Sequence, residues 1–85
     1  MNEYEIQFSR SARKELESLT AEVVSRIFPK ITALAGDPRP PGCRKLVGTK
    51  SFRIRVGDYR VIYSVDDDAR IINIRAVRHR KEAYE

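Results

Sequence analysis

The chain has 85 residues, with 17 Lys and Arg against 12 Asp and Glu and a formal charge of +5, which is enough for one small domain. We expect residues 1–85 to form that single domain, with a shallow surface site and no buried cofactor. The single Cys43 excludes an internal disulfide and, with only one His, argues against a metal site. No apolar run approaches the roughly 20 residues of a membrane span and no signal peptide is recognisable, so we expect a cytoplasmic protein.

The first predicted elements are a strand and a short helix. Apolar and polar residues alternate over about residues 3–8, which is the pattern of a half-buried strand. Ser9 or Ser11 can then accept backbone N–H bonds as an N-cap. The helix that follows has an apolar stripe, and its charged residues, Glu15 among them, are expected to point to water.

A second helix is predicted after Thr20, which can serve as its N-cap. Gly36 suggests a left-handed stop at its C-terminus. The two helices are expected to form a hairpin. The apolar stripe of the second helix consists of Val24, Ile27, Phe28, Ile31, Leu34 and Ala35.

Residues 37–50 are rich in Pro and Gly and are predicted to form a connecting loop. Three alternating runs follow at about residues 51–56, 59–65 and 70–77, which predicts an antiparallel meander. The Gly57-Asp58 pair fits a two-residue type II′ turn between the first two of these strands.

Counting residues from the predicted turns assigns the strand residues to two faces. On the outer face, Arg55, Arg60 and Arg75 would form a row across neighbouring strands, with Arg53 beside it. The other face should pack against the helices and contains Phe52, Ile54, Val56, Tyr59, Val61, Tyr63, Ile72 and Ile74.

Like charges opposite one another destabilise a sheet, so a row of three arginines needs an explanation. One interpretation is a solvated face whose guanidiniums pair with carboxylates from elsewhere, such as Glu82 or Glu85. The other is a groove that binds phosphates, because Arg suits bidentate phosphate contact and provides 12 of the 17 cations. The excess of positive charge lies in residues 43–85, which carry 11 basic and 6 acidic groups.

The last segment offers further candidate residues on a predicted short C-terminal helix. His79 can titrate near neutrality, and Tyr84 can stack on a base or exchange a proton. A frayed basic tail and a structural histidine are the alternative interpretations. Cations that would extend an RNA-binding track are Arg44, Lys45, Lys50, Arg75 and Arg78.

Two segments of the chain resemble a known family. The run RVGDYRVIY over residues 55–63, followed by HRKEAY over residues 79–84, is similar to the RelE branch of the RelE/ParE toxin superfamily. The resemblance implies an α+β fold in which the helices pack on one face of a twisted antiparallel sheet. It also implies a toxin of a type II toxin–antitoxin pair, which cuts mRNA in the ribosomal A site and binds a cognate antitoxin.

The resemblance also assigns roles to individual residues. Arg60, Arg80 and Tyr84 stand where the family has active-site residues, whereas Arg53 and Arg55 stand where its best-known members carry lysines. A guanidinium with a pKa above about 12 is a poor base, so these two arginines are expected to stabilise charge. His79 is a further candidate acid or base. No metal or other cofactor is expected.

Two rival functions remain open. A ParE-like gyrase inhibitor would share the scaffold, although such proteins generally lack the clustered basic and aromatic site residues. A non-catalytic RNA-binding relative would retain the basic face without turnover, and the two Lys-to-Arg differences are consistent with that alternative.

Overall fold

A computed structural model of the chain describes residues 3–81. These residues contain two helices packed on a five-stranded sheet with the strand order β1-β5-β4-β3-β2. The elements, in chain order, are β1 (Glu5–Phe8), α1 (Arg10–Glu17), α2 (Ala21–Ala33), β2 (Arg44–Lys45), β3 (Ser51–Val56), β4 (Tyr59–Asp66) and β5 (Ile71–His79).

The α+β class is confirmed, but the sheet is mixed and not wholly antiparallel. β1 pairs in parallel with β5, from Glu5 opposite Ile71 to Phe8 opposite Ile74. A parallel pair is possible here because both helices and two hairpins lie between the two strands in the chain. The predicted C-terminal helix falls outside the described residues.

Both helices begin where their capping residues predict. The Ser9 Oγ accepts the N–H of Ala12 at 3.1 Å, and the Thr20 Oγ1 accepts the N–H of Val23 at 3.3 Å. The predicted left-handed stop at Gly36 is wrong, because the positive-φ glycines are Gly42, Gly48 and Gly57 within the described part of the chain.

The core lies between the helices and the inner face of the sheet, as the alternating patterns predict. Most of its residues come from the region of α2 and from the three strands of the meander, β3, β4 and β5. Phe52, Val56 and Tyr59 pack against it while remaining partly exposed. The buried apolar residues of this cluster are Ala12, Ile27, Ile31, Leu34, Ile54, Val61, Tyr63, Ile72, Ile74 and Val77.

The turn between β3 and β4 has the predicted register, with Val56 opposite Tyr59 and Arg55 opposite Arg60. Gly57 has a φ of +58°, which fits the first central position of a type II′ turn.

The register between β4 and β5 differs from the prediction. β4 continues to Asp66, which pairs with Ile71, so the connecting loop is displaced by one residue along the chain. A β-bulge follows, because Ile74 pairs with Tyr63 and the next paired residue of β5 is Ala76. Arg75 is the extra residue of this bulge.

The loop over residues 37–50 contains one short strand that the sequence did not predict. Arg44 pairs with Arg53, and Lys45 pairs with Phe52, at the edge of the sheet.

Between residues 3 and 81, neither helix has the length and apolar character that crossing a bilayer requires.

Candidate functional site

The outer face of the sheet carries a cluster of arginines that we call the arginine face: Arg44, Arg53, Arg55, Arg60 and Arg78. Cross-strand pairs place Arg55 opposite Arg60 and Arg60 opposite Arg78, which gives one row across β3, β4 and β5. Arg44 opposite Arg53 forms a second, shorter row two residues along β3. Since neighbouring strands lie about 4.8 Å apart, the five cations share one small surface.

The arginines of this face differ in their surroundings. Arg44, Arg55 and Arg78 are exposed, whereas Arg53 and Arg60 are half-buried. Residues 3–81 provide no hydrogen-bond acceptor and no ion-pair partner for the guanidinium groups of Arg44 and Arg55. The charges of Arg44 and Arg55, which have no carboxylate partner among residues 3–81, create a positive potential that attracts anions.

Arg78 takes the place in the row that the sequence assigned to Arg75. The prediction about Arg75 is wrong because the loop before β5 is displaced and the bulge then adds one residue. Arg75 is exposed but lies opposite no residue of β4, while Arg78 lies opposite Arg60.

Two carboxylates reach the basic residues at the end of β5. The Arg78 Nε donates to the Glu15 Oε2 at 3.1 Å, and the Arg80 Nε lies 3.8 Å from the Asp58 Oδ1. The backbone N–H of Arg80 also donates to the Asp58 carbonyl at 2.7 Å, which holds the chain after β5 against the β3–β4 turn. Glu15 was expected to face water, so sequence reasoning missed its contact with the site.

Residues 6–84 match the family described as the ParE toxin of the type II toxin–antitoxin system parDE. Toxin RelG of Mycobacterium tuberculosis is 31% identical over 85 residues, with 95% of each chain covered.

The fold is also found in solved toxin–antitoxin complexes. The archaeal RelE–RelB complex from Pyrococcus horikoshii contains a chain that is 32% identical, with a TM-score of 0.81 and coverage of 94% of this chain and 98% of that one. The intact RelBE complex of E. coli gives 26% identity and a TM-score of 0.78, covering 87% and 93%. The chain belongs to the RelE/ParE superfamily of type II toxins.

In this toxin, His79 does not join the arginine face. Its imidazole packs edge-on against the ring of Tyr59, with the ring centroids 5.2 Å apart, and Tyr59 lies on the helix side of the sheet. The His79 Nδ1 accepts the backbone N–H of Lys81 at 3.2 Å. His79, a candidate acid or base, thus lies on the other face of the sheet from Arg55 and Arg60, because the bulge fixes which face it occupies.

A cavity of about 240 Å³ lies beside His79, between the end of α1 and the ends of β4 and β5 of the toxin. Glu15 lines it from α1, Ser18 and Leu19 line it from the segment just after α1, and Tyr59 and Arg78 line it from the sheet. Glu15 and His79 therefore lie close to Arg78 but on the opposite side of the sheet from Arg55 and Arg60.

The two lysines proposed for RNA binding lie apart from the arginine face. Lys45 is opposite Phe52, whose side chain packs on the helix side. Lys50 lines a cavity near the other end of the sheet, together with Asp66 and Asp67. Tyr84, the proposed stacking residue, lies outside the described residues.

At that other end of the sheet, Asp67 is held by two partners. Arg39 donates to both carboxylate oxygens at 3.3 and 2.9 Å, and the Tyr4 hydroxyl donates at 2.6 Å. The hydrogen bonds from Arg39 and then Tyr4 lower the pKa of Asp67, and the same contacts raise the pKa of Arg39 and of Tyr4. Among residues 3–81, no three His, Cys, Asp or Glu side chains are grouped to hold a metal ion.

Proposed function

We propose that this toxin is a ribosome-dependent endoribonuclease that cleaves mRNA in the A site and thereby inhibits translation. The arginine face is the observation that supports this proposal most strongly. Three cations in one row and two in the next would attract the negatively charged phosphates of an RNA backbone. The row also opposes like charges within the sheet, which costs stability that anion binding would offset.

The reaction is an internal transesterification that needs no metal. The 2′-hydroxyl oxygen bonds to the adjacent phosphorus and the 5′-oxygen leaves, which yields a 2′,3′-cyclic phosphate and a 5′-hydroxyl. The proton of the 2′-hydroxyl ends on the leaving oxygen. Negative charge develops on the phosphorane oxygens, and fixed guanidinium donors stabilise such charge by about 3–4 kcal/mol for one well-placed group.

Individual residues have distinct parts in this proposal. Arg60 is central, since it lies between Arg55 and Arg78 in the row. Arg53 and Arg80 flank it and add positive charge. Tyr84 is the candidate for base stacking or proton transfer.

Dependence on the ribosome follows from the chemistry of the face. A guanidinium is a weak base, so the toxin depends on favourable attack geometry. A ribosome that holds the message in a bent conformation would supply that geometry. We therefore expect little cleavage of free RNA.

The partner that inactivates the toxin is proposed to be a cognate antitoxin of acidic character. Two similar toxins were solved as RelE–RelB or RelBE complexes. An acidic segment that covered the arginine face would bind by charge complementarity and block access of RNA. The location consistent with both partners is the cytoplasm.

The deciding test is toeprinting on translating ribosomes with the toxin and its Arg60→Ala variant. We expect the toxin to cut the A-site message and the variant to lose at least about 100-fold in rate, because one fixed charge donor is removed. Arg26→Ala is the matched control, since Arg26 is an exposed arginine of α2 that forms an ion pair with Glu22 at 3.0 Å. Cleavage at the toxin's own rate by a folded Arg60→Ala variant would refute the assignment.

Gyrase inhibition is the second candidate function, and the match to the ParE toxin family favours it. If the purified toxin trapped cleaved DNA with gyrase and left ribosome-bound message intact, this function would replace the first. Binding of the toxin to RNA without cleavage or gyrase trapping would indicate the non-catalytic relative.

A further inference from the structure

Glu15 is a helix residue whose carboxylate reaches the edge of the sheet. It lies in the last half of α1, and its side chain is 29% exposed. One oxygen, Oε1, accepts the backbone N–H of Val77 at 2.9 Å, and the other, Oε2, accepts the Nε–H of Arg78 at 3.1 Å. A single carboxylate therefore fixes the backbone and the side chain of consecutive residues of β5.

The backbone contact has a clear structural reason. β1 ends at Phe8, opposite Ile74, so the last five residues of β5 have no neighbouring strand on that side among residues 3–81. Edge groups of a strand need other partners. The Ser9 hydroxyl donates to the Arg75 carbonyl at 3.2 Å, and Glu15 accepts from Val77. Capping the edge explains the Oε1 contact but not the contact with Arg78.

The contact with Arg78 orients a guanidinium of the arginine face. The Arg78 Nε donates to Glu15, and the two terminal nitrogens of Arg78 have no acceptor within residues 3–81. These two nitrogens form the end-on edge of the guanidinium, which can bind two phosphate oxygens at once. A charge-assisted bond at Nε limits rotation of the group without using that edge.

We propose that Glu15 is a positioning residue for RNA cleavage, which holds the Arg78 guanidinium beside Arg60 with its end-on edge toward the scissile phosphate. The inference rests on the proposed ribonuclease function and adds a residue from outside the sheet. Arg78 is its partner in the arginine row, opposite Arg60.

The charge of Glu15 gives this role a distinctive signature. A carboxylate beside the arginine face weakens its general attraction for RNA, because it cancels part of the positive potential. Loss of the charge should thus leave binding of the ribosome complex unchanged or tighter, while loss of orientation slows the chemical step. A residue needed only for stability would not separate these two effects.

The variant that isolates the contact is Glu15→Gln. Its amide oxygen can still accept the Val77 N–H, whereas its NH₂ group cannot accept from the Arg78 Nε. Glu17→Gln is the matched control, because it removes the same charge from an exposed position two residues along α1. Arg78→Ala, alone and combined with Glu15→Gln, reports whether Glu15 acts through Arg78.

Single-turnover cleavage of programmed ribosomes is measured at increasing toxin concentration, after circular dichroism shows that each variant is folded. We expect Glu15→Gln to lower the maximal rate about tenfold without raising the concentration for half-maximal rate, and Glu17→Gln to match the unmodified toxin. In the Arg78→Ala background, Glu15→Gln should cause no further loss. The Arg78 Nε–H signal in the NMR spectrum should lose its exchange protection in Glu15→Gln alone.

Other outcomes would overturn the inference in distinguishable ways. If the parent toxin cleaves the message and Glu15→Gln reaches the same maximal rate, the role of Glu15 is refuted and the ribonuclease function still stands. A further tenfold loss in the Arg78→Ala background would show that Glu15 does not act through Arg78. An unmodified toxin that leaves the A-site message intact would refute the ribonuclease function and the positioning role together.

Discussion

Arginines at the two ends of the sheet have opposite surroundings. Arg39 donates to both oxygens of Asp67, and its guanidinium also lies 5.2 Å from the centroid of the Phe52 ring. Arg55, on the arginine face, lies opposite Arg60 and has no ion-pair partner among residues 3–81. Arg39 is thus ion-paired where it joins a loop to the sheet, whereas Arg55, on the face proposed to meet the substrate, has no such pair within residues 3–81.

This difference separates charges that serve stability from charges that serve binding. A bidentate pair such as Arg39 with Asp67 restrains the loop before β2 against the β4–β5 turn. Opposed arginines destabilise the sheet locally, and such violations of local preference are expected at functional sites. Substitutions at the two ends should therefore affect different properties.

The largest expected effect comes from reversing a charge on the arginine face with Arg55→Glu. Cleavage of A-site message should fall by at least about 100-fold, because a favourable charge becomes a repulsive one beside the phosphate. The thermal midpoint should stay the same or rise, since the Arg55 and Arg60 charges no longer oppose one another.

Arg13→Glu is the control for that substitution, because it makes the same charge change at an exposed position of α1. It should cost much less activity. Equal losses for the two variants, measured by toeprinting, would mean that net charge and not the arginine face determines the rate.

A smaller effect, on stability alone, is expected for Tyr63→Phe. The buried Tyr63 hydroxyl donates to the Pro38 carbonyl at 2.6 Å, which ties the loop before β2 to the core. Losing this bond should lower the free energy of unfolding by about 1 kcal/mol in urea denaturation, with cleavage unchanged. Tyr59→Phe is the control, since the Tyr59 hydroxyl has no hydrogen bond within residues 3–81, and it should leave stability nearly unchanged.

The smallest effect is expected for Asp67→Asn, which removes an exposed ion pair. The thermal midpoint should fall slightly at neutral pH without a change in cleavage. The pKa of Asp67 lies below its ordinary value of 3.8 because Arg39 and Tyr4 favour the ionised form. Its contribution to stability is therefore present above pH 3.8 and is lost as the pH falls through the lower, folded-state pKa.

Scanning calorimetry of both proteins between neutral and acid pH checks this sign. The midpoints of the parent toxin and of Asp67→Asn should converge on acidification. A difference that widened below pH 3.8 would contradict the assigned role of Asp67.

Much of the fold was predictable because it depends on local patterns. Alternating strands, two capped helices and the Gly57-Asp58 turn each have a strong signal within a few residues. The parallel pairing of β1 has none, since its partner β5 is distant in the chain, and the two-residue strand at Arg44 is too short to show an alternating pattern.

The candidate site was predictable in kind but not in its full membership. Arg53, Arg55 and Arg60 were placed correctly on one face because the β3–β4 turn fixes their register. Arg78 was not assigned to the row, since a bulge cannot be read from alternation. Glu15 was missed because one helix residue seen alone resembles any other solvent-exposed charge.

The bulge at Arg75 also affects how sequences of related toxins should be aligned. One additional residue in β5 exchanges the inward and outward positions beyond it, so it decides that Arg78 and not Val77 lies opposite Arg60. A relative that lacked this insertion would present the same surface only if its basic residue occurred one place earlier. Alignments of this segment should therefore be anchored separately on each side of the insertion.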